Sequence, residues 1–362
     1  MTLQQKSLVW LLFVVSIVGM LILLRGILLP FVIGMAVAYL LDPVCDWLEQ
    51  RHFTRIWASI AVTFVFFVII ALALALLTPL LINQVTDFIE KVPAYISTLE
   101  MKLTPVIAYL MAHLDTDGTA EIQKIFGQYI GDAAAIAGRV IFRLLSGLET
   151  ALNVISIVAI TPIVAFYLLR DWDKIISRLN GYLPPAYRKT IQEQILLIDT
   201  TLSGFLRGQF MVCLLLGIFY AVGLMIIGLD FGLIIGLGTG MVSFVPYFGM
   251  LAGVLVGLGL AIAQFDSLGP ILAVGLLFAS GQIMEGNFVT PKLVGDRVGL
   301  HAVWIIFALM AGGALFGFLG ILLAVPVAAV IGVLVRFALD CYLRSALYAG
   351  ESPEKLNSPK SQ

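Results

Sequence analysis

The chain has 362 residues, of which 61% are hydrophobic and only 12% charged, whereas a soluble domain carries about 25% charged residues. In water so apolar a chain would expose large sticky patches, so lipid is the solvent it fits. A formal net charge of −1 offers no global attraction to nucleic acid.

The predicted elements follow from the apolar runs, since each spanning helix needs roughly 20 apolar residues. The first run covers 8–24, follows Lys6 and has no small-residue cleavage site, so it reads as a retained span. Arg25-Gly26 predicts a tight turn, and a second run over 27–41 is expected to stop at Asp42-Pro43. After a polar patch (Asp46, Glu49, Arg51, His52, Arg55) a third span runs from Trp57 to about Pro79. Residues 80–148 are too polar to span, yet Val85, Phe88, Ile89 and Val92, and later Ile122, Phe126, Tyr129, Ala133, Ile136, Val140 and Leu144, recur at helical spacing. This segment predicts an amphipathic, extracytoplasmic helical insertion, lying on the membrane, on a neighbouring subunit or as a cap on its own chain.

A fourth span covers about 150–169, with Pro162 inside it. Residues 170–206 predict cytoplasmic amphipathic helices, basic through Arg170, Lys174, Arg178, Arg188 and Lys189 and split at Pro184-Pro185. A fifth span runs from about Gln209 to Gly228. Arg207 and Asp230 bracket it, as interfacial anchors or as ligands.

Two glycine-rich apolar stretches follow, 231–263 and 302–335, separated by a span over about 268–284 and a polar segment over 285–301. About 33 helical residues would reach roughly 50 Å, while the hydrocarbon core is about 30 Å thick. Neither stretch fits as one straight span. Pro246 and Pro326 lie near their middles, and Gly312, Gly313, Gly317 and Gly320 add a second weak point. Both are expected to be hairpins or broken helices. Gly240 and Gly320 stand equally far before their prolines, a faint sign of the repeat from which transporters build substrate sites. The distribution of Lys and Arg favours two hairpins that re-emerge on the side they entered, with both termini cytoplasmic. Residues 350–362 read as a disordered tail.

Breaking a helix in lipid frees backbone groups that need partners. The Val242–Gly249 and Gly312–Gly320 breaks are therefore candidate sites, with hydroxyls from Thr239, Ser243 and Tyr247 beside the first. The alternative is that these glycines only let helices pack closely. Glu285, at the end of an apolar span, is a candidate proton or cation carrier, with Gln282, Asn287, Thr290, Pro291 and Lys292 around it. Its other reading is an interfacial carboxylate paired with Lys292 or Arg297. Cys45, Cys213 and Cys341 are far apart, no histidine pair has metal spacing, and HExxH, GxSxG and Walker motifs are missing. No cofactor, metal or enzymatic activity is expected.

Four blocks resemble the autoinducer-2 exporter family of bacterial permeases: Phe166-Tyr167-Leu168-Leu169-Arg170-Asp171; Val245-Pro246-Tyr247-Phe248-Gly249; Glu285-Gly286-Asn287 through Pro291-Lys292-Leu293-Val294-Gly295 with Val298-Gly299-Leu300-His301; and Gly317-Phe318-Leu319-Gly320 through Val325-Pro326-Val327. Ala302 stands after His301 where the family pattern has proline. The resemblance implies an all-α inner-membrane permease of about eight transmembrane segments, two of them long and Gly/Pro-interrupted. It also implies homo-oligomeric assembly, with a pentamer among the options.

Such a permease would export a small polar solute such as autoinducer-2, coupled to an ion gradient, or exchange sodium or lithium for protons. Solute export would draw on Asn287, Gln282, Ser243 and Thr239, and cation exchange on Glu285 or Asp230. The remaining readings are an oligomeric channel and a membrane scaffold without transport. The site expected from both long segments is Thr239, Gly240, Ser243, Pro246, Gly249, Gln282, Glu285, Asn287, Thr290, Pro291, Lys292, Gly317, Gly320 and Pro326, with Asp230 at its edge.

Overall fold

The structure is a computed structural model that describes residues 19–113, 148–246, 248–294 and 299–345, together with Gln5, Leu12, Phe13, Val15, Ser16 and Tyr348. Part of the first expected span, the stripe from Ile122 to Leu144, Tyr247, Arg297 and the tail over 350–362 lie outside the described residues.

Helix α1 covers Arg25–Glu49 and follows a turn at Leu24. It does not stop at Asp42-Pro43, as the sequence suggests, but carries Pro43 inside and continues to Glu49. Asp42, Asp46 and Glu49 share one face, and Arg55 collects all three: its Nη2 lies 2.7 Å from Asp42, and Nη1 donates to Asp46 and Glu49. The Arg55 Nε also donates to the Leu169 carbonyl at 2.8 Å. Pro43 has no N–H for the Tyr39 carbonyl one turn back, and that carbonyl accepts instead from Arg207 Nε at 2.8 Å.

Helix α2, Arg55–His113, runs for 59 residues with Pro79, Pro93 and Pro105 inside. At 1.5 Å per residue it is about 88 Å long, far more than a bilayer requires. Only Arg55–Phe88 has the hydropathy of a span. The expected end at Pro79 is therefore replaced by a continuous arm from residue 89 onward.

Helices α3 (Leu148–Tyr182) and α4 (Arg188–Ile227) part at Pro184-Pro185, as expected. The segment 170–206 forms their extended ends rather than separate helices. Gly228, at φ +80°, closes α4 in the left-handed region that suits glycine.

The stretch 231–263 is two helices, α5 (Gly232–Val242) and α6 (Phe248–Gln264), with a break between them. We call this pair hairpin A. Helix α7 (Leu268–Met284) passes into a wider, π-type turn at Glu285–Val289 and the short α8 (Thr290–Leu293). The second long stretch is hairpin B, α9 (Ala302–Phe316) and α10 (Phe318–Leu343). Its break is Gly317, with φ +61° and ψ −136°. Pro326 lies buried inside α10 instead of at the break, so the apparent repeat does not carry over: Gly240 precedes its break and Gly320 follows its own.

Among the described residues, six helical segments are long and apolar enough to cross a membrane. Two hydrophobic cores hold them. The larger gathers Val212, Leu216, Tyr220 and Leu224 of α4 with Ile235, Leu260, Val274, Phe278, Val325 and Ala329. The smaller joins Ala38, Leu41, Cys45, Val62 and Leu169 from α1, α2 and α3. Outward faces are apolar, with Ile226 81% and Met310 72% exposed, which suits contact with lipid chains.

Candidate functional site

Helix α4 is the spine on which the candidate residues converge. Hairpin A lies along it through glycines. A Cβ on Gly236 would meet the Ala221 backbone, and one on Gly240 would meet Gly217 and the Cys213 carbonyl. Backbones can approach this closely only where side chains are missing, which is how small residues drive helix association in lipid.

Hairpin A returns to the end of the bundle it left. The Asp230 N–H donates to Gln264 Oε1 at 2.8 Å, and Gln264 Nε2 donates to the Gly228 carbonyl at 2.9 Å. The start of α5 and the end of α6 are thus tied together as one mouth. Its eleven-residue first arm spans about 16 Å, so the tip lies within the depth of the bundle.

At that tip the freed backbone groups find protein partners. Turn bonds take up the N–H groups of Ser243, Phe244, Val245 and Phe248. The Ser243 carbonyl accepts a buried bond of 2.7 Å from Gln209 Nε2 of α4. The buried hydroxyls of Thr239 and Ser243 donate to the Ile235 and Thr239 carbonyls at 2.7 and 2.8 Å. Gly249 packs on Ser243. Pro246 sits half-buried in the turn between the arms. The tip is closed and internally satisfied in this conformation.

Helix α7 runs beside both α4 and hairpin A, its Phe278 ring lying on Tyr220 of α4 and against Gly253 and Gly257 of α6. Gly281 rests on the Tyr220 hydroxyl, and Gly208 rests on Leu293, so Glu285 sits at a level between them. There it lies level with the stretch of α4 that carries Cys213 and Tyr220. Glu285 is half-buried and has no hydrogen bond or ion pair among the described residues; Lys292 is exposed and does not reach it. The turn it begins is π-type, a widening that recurs at functional sites. Asn287 is exposed and donates to the Ile283 carbonyl at 3.1 Å. Gln282 and Thr290 are half-buried and Pro291 is exposed.

The structure thus gathers Thr239, Gly240, Ser243 and Glu285 around residues 209–220 of α4. Gly317 and Gly320 belong to hairpin B, where Gly312 and Gly320 press backbone to backbone. That hairpin reaches α4 through Val325 and Ala329. Arg336 Nη1 donates to the Gly299 carbonyl, and Leu300 lies against Gly332. Hairpin B therefore also folds back beside its own start. The two mouths lie at opposite ends: hairpin A opens near residue 228 of α4, and the chain leading into hairpin B passes residue 208, about 30 Å away along the helix.

Asp230 stands apart from this group, at the mouth of hairpin A. It accepts from Tyr95 at 2.7 Å and Lys91 at 3.0 Å, both on the α2 arm. Burial pushes its carboxyl up, but those hydrogen bonds and the Lys91 charge outweigh it and hold it below the usual range. Its hydrogen bond and charge raise Lys91 in return. Burial and the bond to Asp230 push the Tyr95 phenol up to about 12. Arg207 is an anchor, its Nε donating to the Tyr39 carbonyl at 2.8 Å.

Sequence reasoning missed Gln209, Tyr220, Lys91, Tyr95 and Lys102. A lone glutamine at the head of an apolar run was the available signal for Gln209. The spacing of Lys91, Tyr95 and Lys102 was the signal for a shared face on α2. Neither states what the residue meets.

Comparison with known proteins agrees with this architecture. Residues 11–340 match the family model described as AI-2E family transporter. The candidate transport protein YrrI of Bacillus subtilis is 31% identical over 315 residues, covering 87% of each chain. The candidate permease PerM of Escherichia coli K12 is 23% identical, over 88% of this chain and 89% of its own. A candidate transport protein of Synechocystis is 26% identical over 83% of this chain and 74% of its own. With the family model covering nearly the whole chain and YrrI so similar over most of its length, this multi-span membrane protein belongs to the AI-2E transporter family.

Proposed function

We propose that the protein is an inner-membrane permease, with both termini cytoplasmic, that moves a small polar solute such as autoinducer-2 and couples that movement to an ion gradient. The observation that carries this reading is the convergence of the hairpin A tip and the half-buried Glu285, which has no partner among the described residues, on one stretch of α4. A carboxylate at membrane depth is expensive to keep without a partner and is characteristically functional. Beside it lies a broken helix that packs on α4 largely through glycines, with the Gln209–Ser243 bond and the edge-on contact of Phe205 with Phe244 holding its tip, contacts that part when the tip opens.

In this reading the segment from Gln282 to Lys292 acts as a gate or binding element. The solute meets Thr239, Ser243, Gln282 and Asn287 once the tip opens, with Gly240, Pro246 and Gly249 forming the tip and Thr290 and Pro291 the far wall. Gly317, Gly320 and Pro326 shape the opposing hairpin. Asp230 holds the mouth.

Sodium- or lithium-for-proton exchange is the second reading, favoured by the same half-buried Glu285. A homo-oligomer, a pentamer among the options, would seat the apolar outer faces beside one another.

The test is wild type and Glu285→Gln in proteoliposomes, assayed for autoinducer-2 flux and for sodium- or lithium-driven proton movement. The variant is expected to lose coupled flux in one of the two assays. Wild-type behaviour of the variant under every gradient overturns the assignment.

A further inference from the structure

We infer that residues 88–102 of α2 form a releasable ionic strap across the mouth of hairpin A, and that the hairpin can leave α4 only when this strap lets go. Phe88, Lys91, Tyr95 and Lys102 recur at spacings of three, four and seven, which places them on one face of the helix. That face meets both sides of the mouth. On the α5 side, Lys91 and Tyr95 hold Asp230, and Phe88 stacks edge-on against Phe231 at 5.1 Å. On the α6 side, Lys102 Nζ donates to the Ile262 carbonyl at 3.1 Å, the Phe265 carbonyl at 3.0 Å and Asp266 at 2.8 Å. Two of those acceptors are carbonyls in the last turn and just past the end of α6, where the helix dipole favours a cation.

The strap ties together parts of the molecule that otherwise belong to different cores. Helix α2 contributes Val62 to the smaller core, while hairpin A is built into the larger, which α2 reaches through Phe88 and Tyr95 of the strap itself. Its strength is also that of a device that can open. The Lys91 side chain is half-exposed and Asp266 is 96% exposed, so salt and water compete for each pair, and each alone holds weakly. The glycine-on-glycine contact along α4 would let the hairpin move as a body once the mouth is free.

This inference rests on the reading that hairpin A lines the solute path, but it can be tested apart from transport. Cys213 of α4 lies where Gly240 of hairpin A packs, and Cys45 lies fully buried in the other core. The full-length protein carrying Cys341→Ser, in lipid nanodiscs, would be treated with N-ethylmaleimide, and the two remaining thiols followed separately. Raising sodium chloride from about 0.05 M to about 0.5 M shortens the screening length from roughly 14 Å to roughly 4 Å. We expect it to speed Cys213 alkylation severalfold and to leave Cys45 unchanged.

Lys91→Ala with Lys102→Ala should reproduce the fast Cys213 rate at low salt, and Lys91→Asp with Asp230→Lys should restore part of the slow one. A salt-independent Cys213 rate in the wild type, or a double variant as slow as wild type, overturns the strap. If the double variant also exposes Cys45, the wild-type salt comparison decides alone. Normal flux in Glu285→Gln beside a salt-sensitive Cys213 would leave the strap standing and remove the transport reading; the reverse pair of results would do the opposite.

Discussion

Gln209 donates its side-chain amide to the main-chain carbonyl of Ser243 across a buried 2.7 Å, so the helix break at the tip of hairpin A is completed by a side chain from α4. The fold can keep a broken helix here because its neighbour supplies the hydrogen bond that the next turn would have made.

Replacing Gln209 with leucine should therefore leave a buried carbonyl unpaired, at a cost of about 1–3 kcal/mol. Thermal unfolding of the detergent-solubilised protein would show a lowered midpoint. An unchanged midpoint would mean that water or another donor reaches Ser243.

Glycine contacts along α5 give a sharper comparison. A Cβ on Gly240 would collide with Gly217 and the Cys213 carbonyl, whereas one on Gly238 would meet nothing within 4 Å. Gly240→Ala should destabilise the protein by about 1–3 kcal/mol through overpacking. Gly238→Ala should be neutral, or stabilising by up to about 1 kcal/mol from helix propensity. Equal midpoints for the two variants would contradict the docking of hairpin A on α4.

Gly317 adopts φ +61° with ψ −136° and has open space where a side chain would go. Alanine would fit sterically there, but its backbone would be strained, at a cost of about 1–3 kcal/mol. Gly313→Ala, whose Cβ would approach Ile321 at 3.2 Å in ordinary helix, should cost less. The order of the two melting points checks this.

The strap has a defined pH window. Asp230 has a lowered pKa in the folded chain, so its contribution is present above about pH 4, the ordinary aspartate value, and is lost as pH falls through the depressed value. Lys91 is raised, and Tyr95 is pushed up to about 12. Their contribution is complete below about pH 10, the ordinary value for both, and is lost as pH rises through their folded values. The Cys213 alkylation ratio between high and low salt, read at pH values where the thiol still reacts, should hold steady across neutral pH. Asp230→Asn should shrink the acid limb of a thermal-stability profile, leaving the part that Asp171 and Asp266, also lowered by their cationic partners, supply.

The sequence by itself determined the solvent and the punctuation. Apolar runs of span length demand lipid, two runs longer than the bilayer is deep demand folding back, and the double proline at 184–185 parts two helices, because neither residue has an N–H for the turn before it. Glu285 stood out for a local reason too: a carboxylate at the end of an apolar run is costly in any fold. Other readings needed the third dimension. Pro43, Pro79 and Pro326 look like stops, yet they sit inside helices; at Pro43 the carbonyl left without a helical donor, that of Tyr39, takes one from Arg207, far away in the chain.

Asp230 looked like a ligand or an anchor until Lys91 and Tyr95, more than 130 residues earlier in the chain, were found to hold it. Which carbonyl Gln209 completes, and which of two glycines two residues apart is crowded, are facts about neighbours. A one-dimensional pattern records the free energy of transferring a segment between solvents. The partner that satisfies a buried polar group is fixed only when distant segments pack.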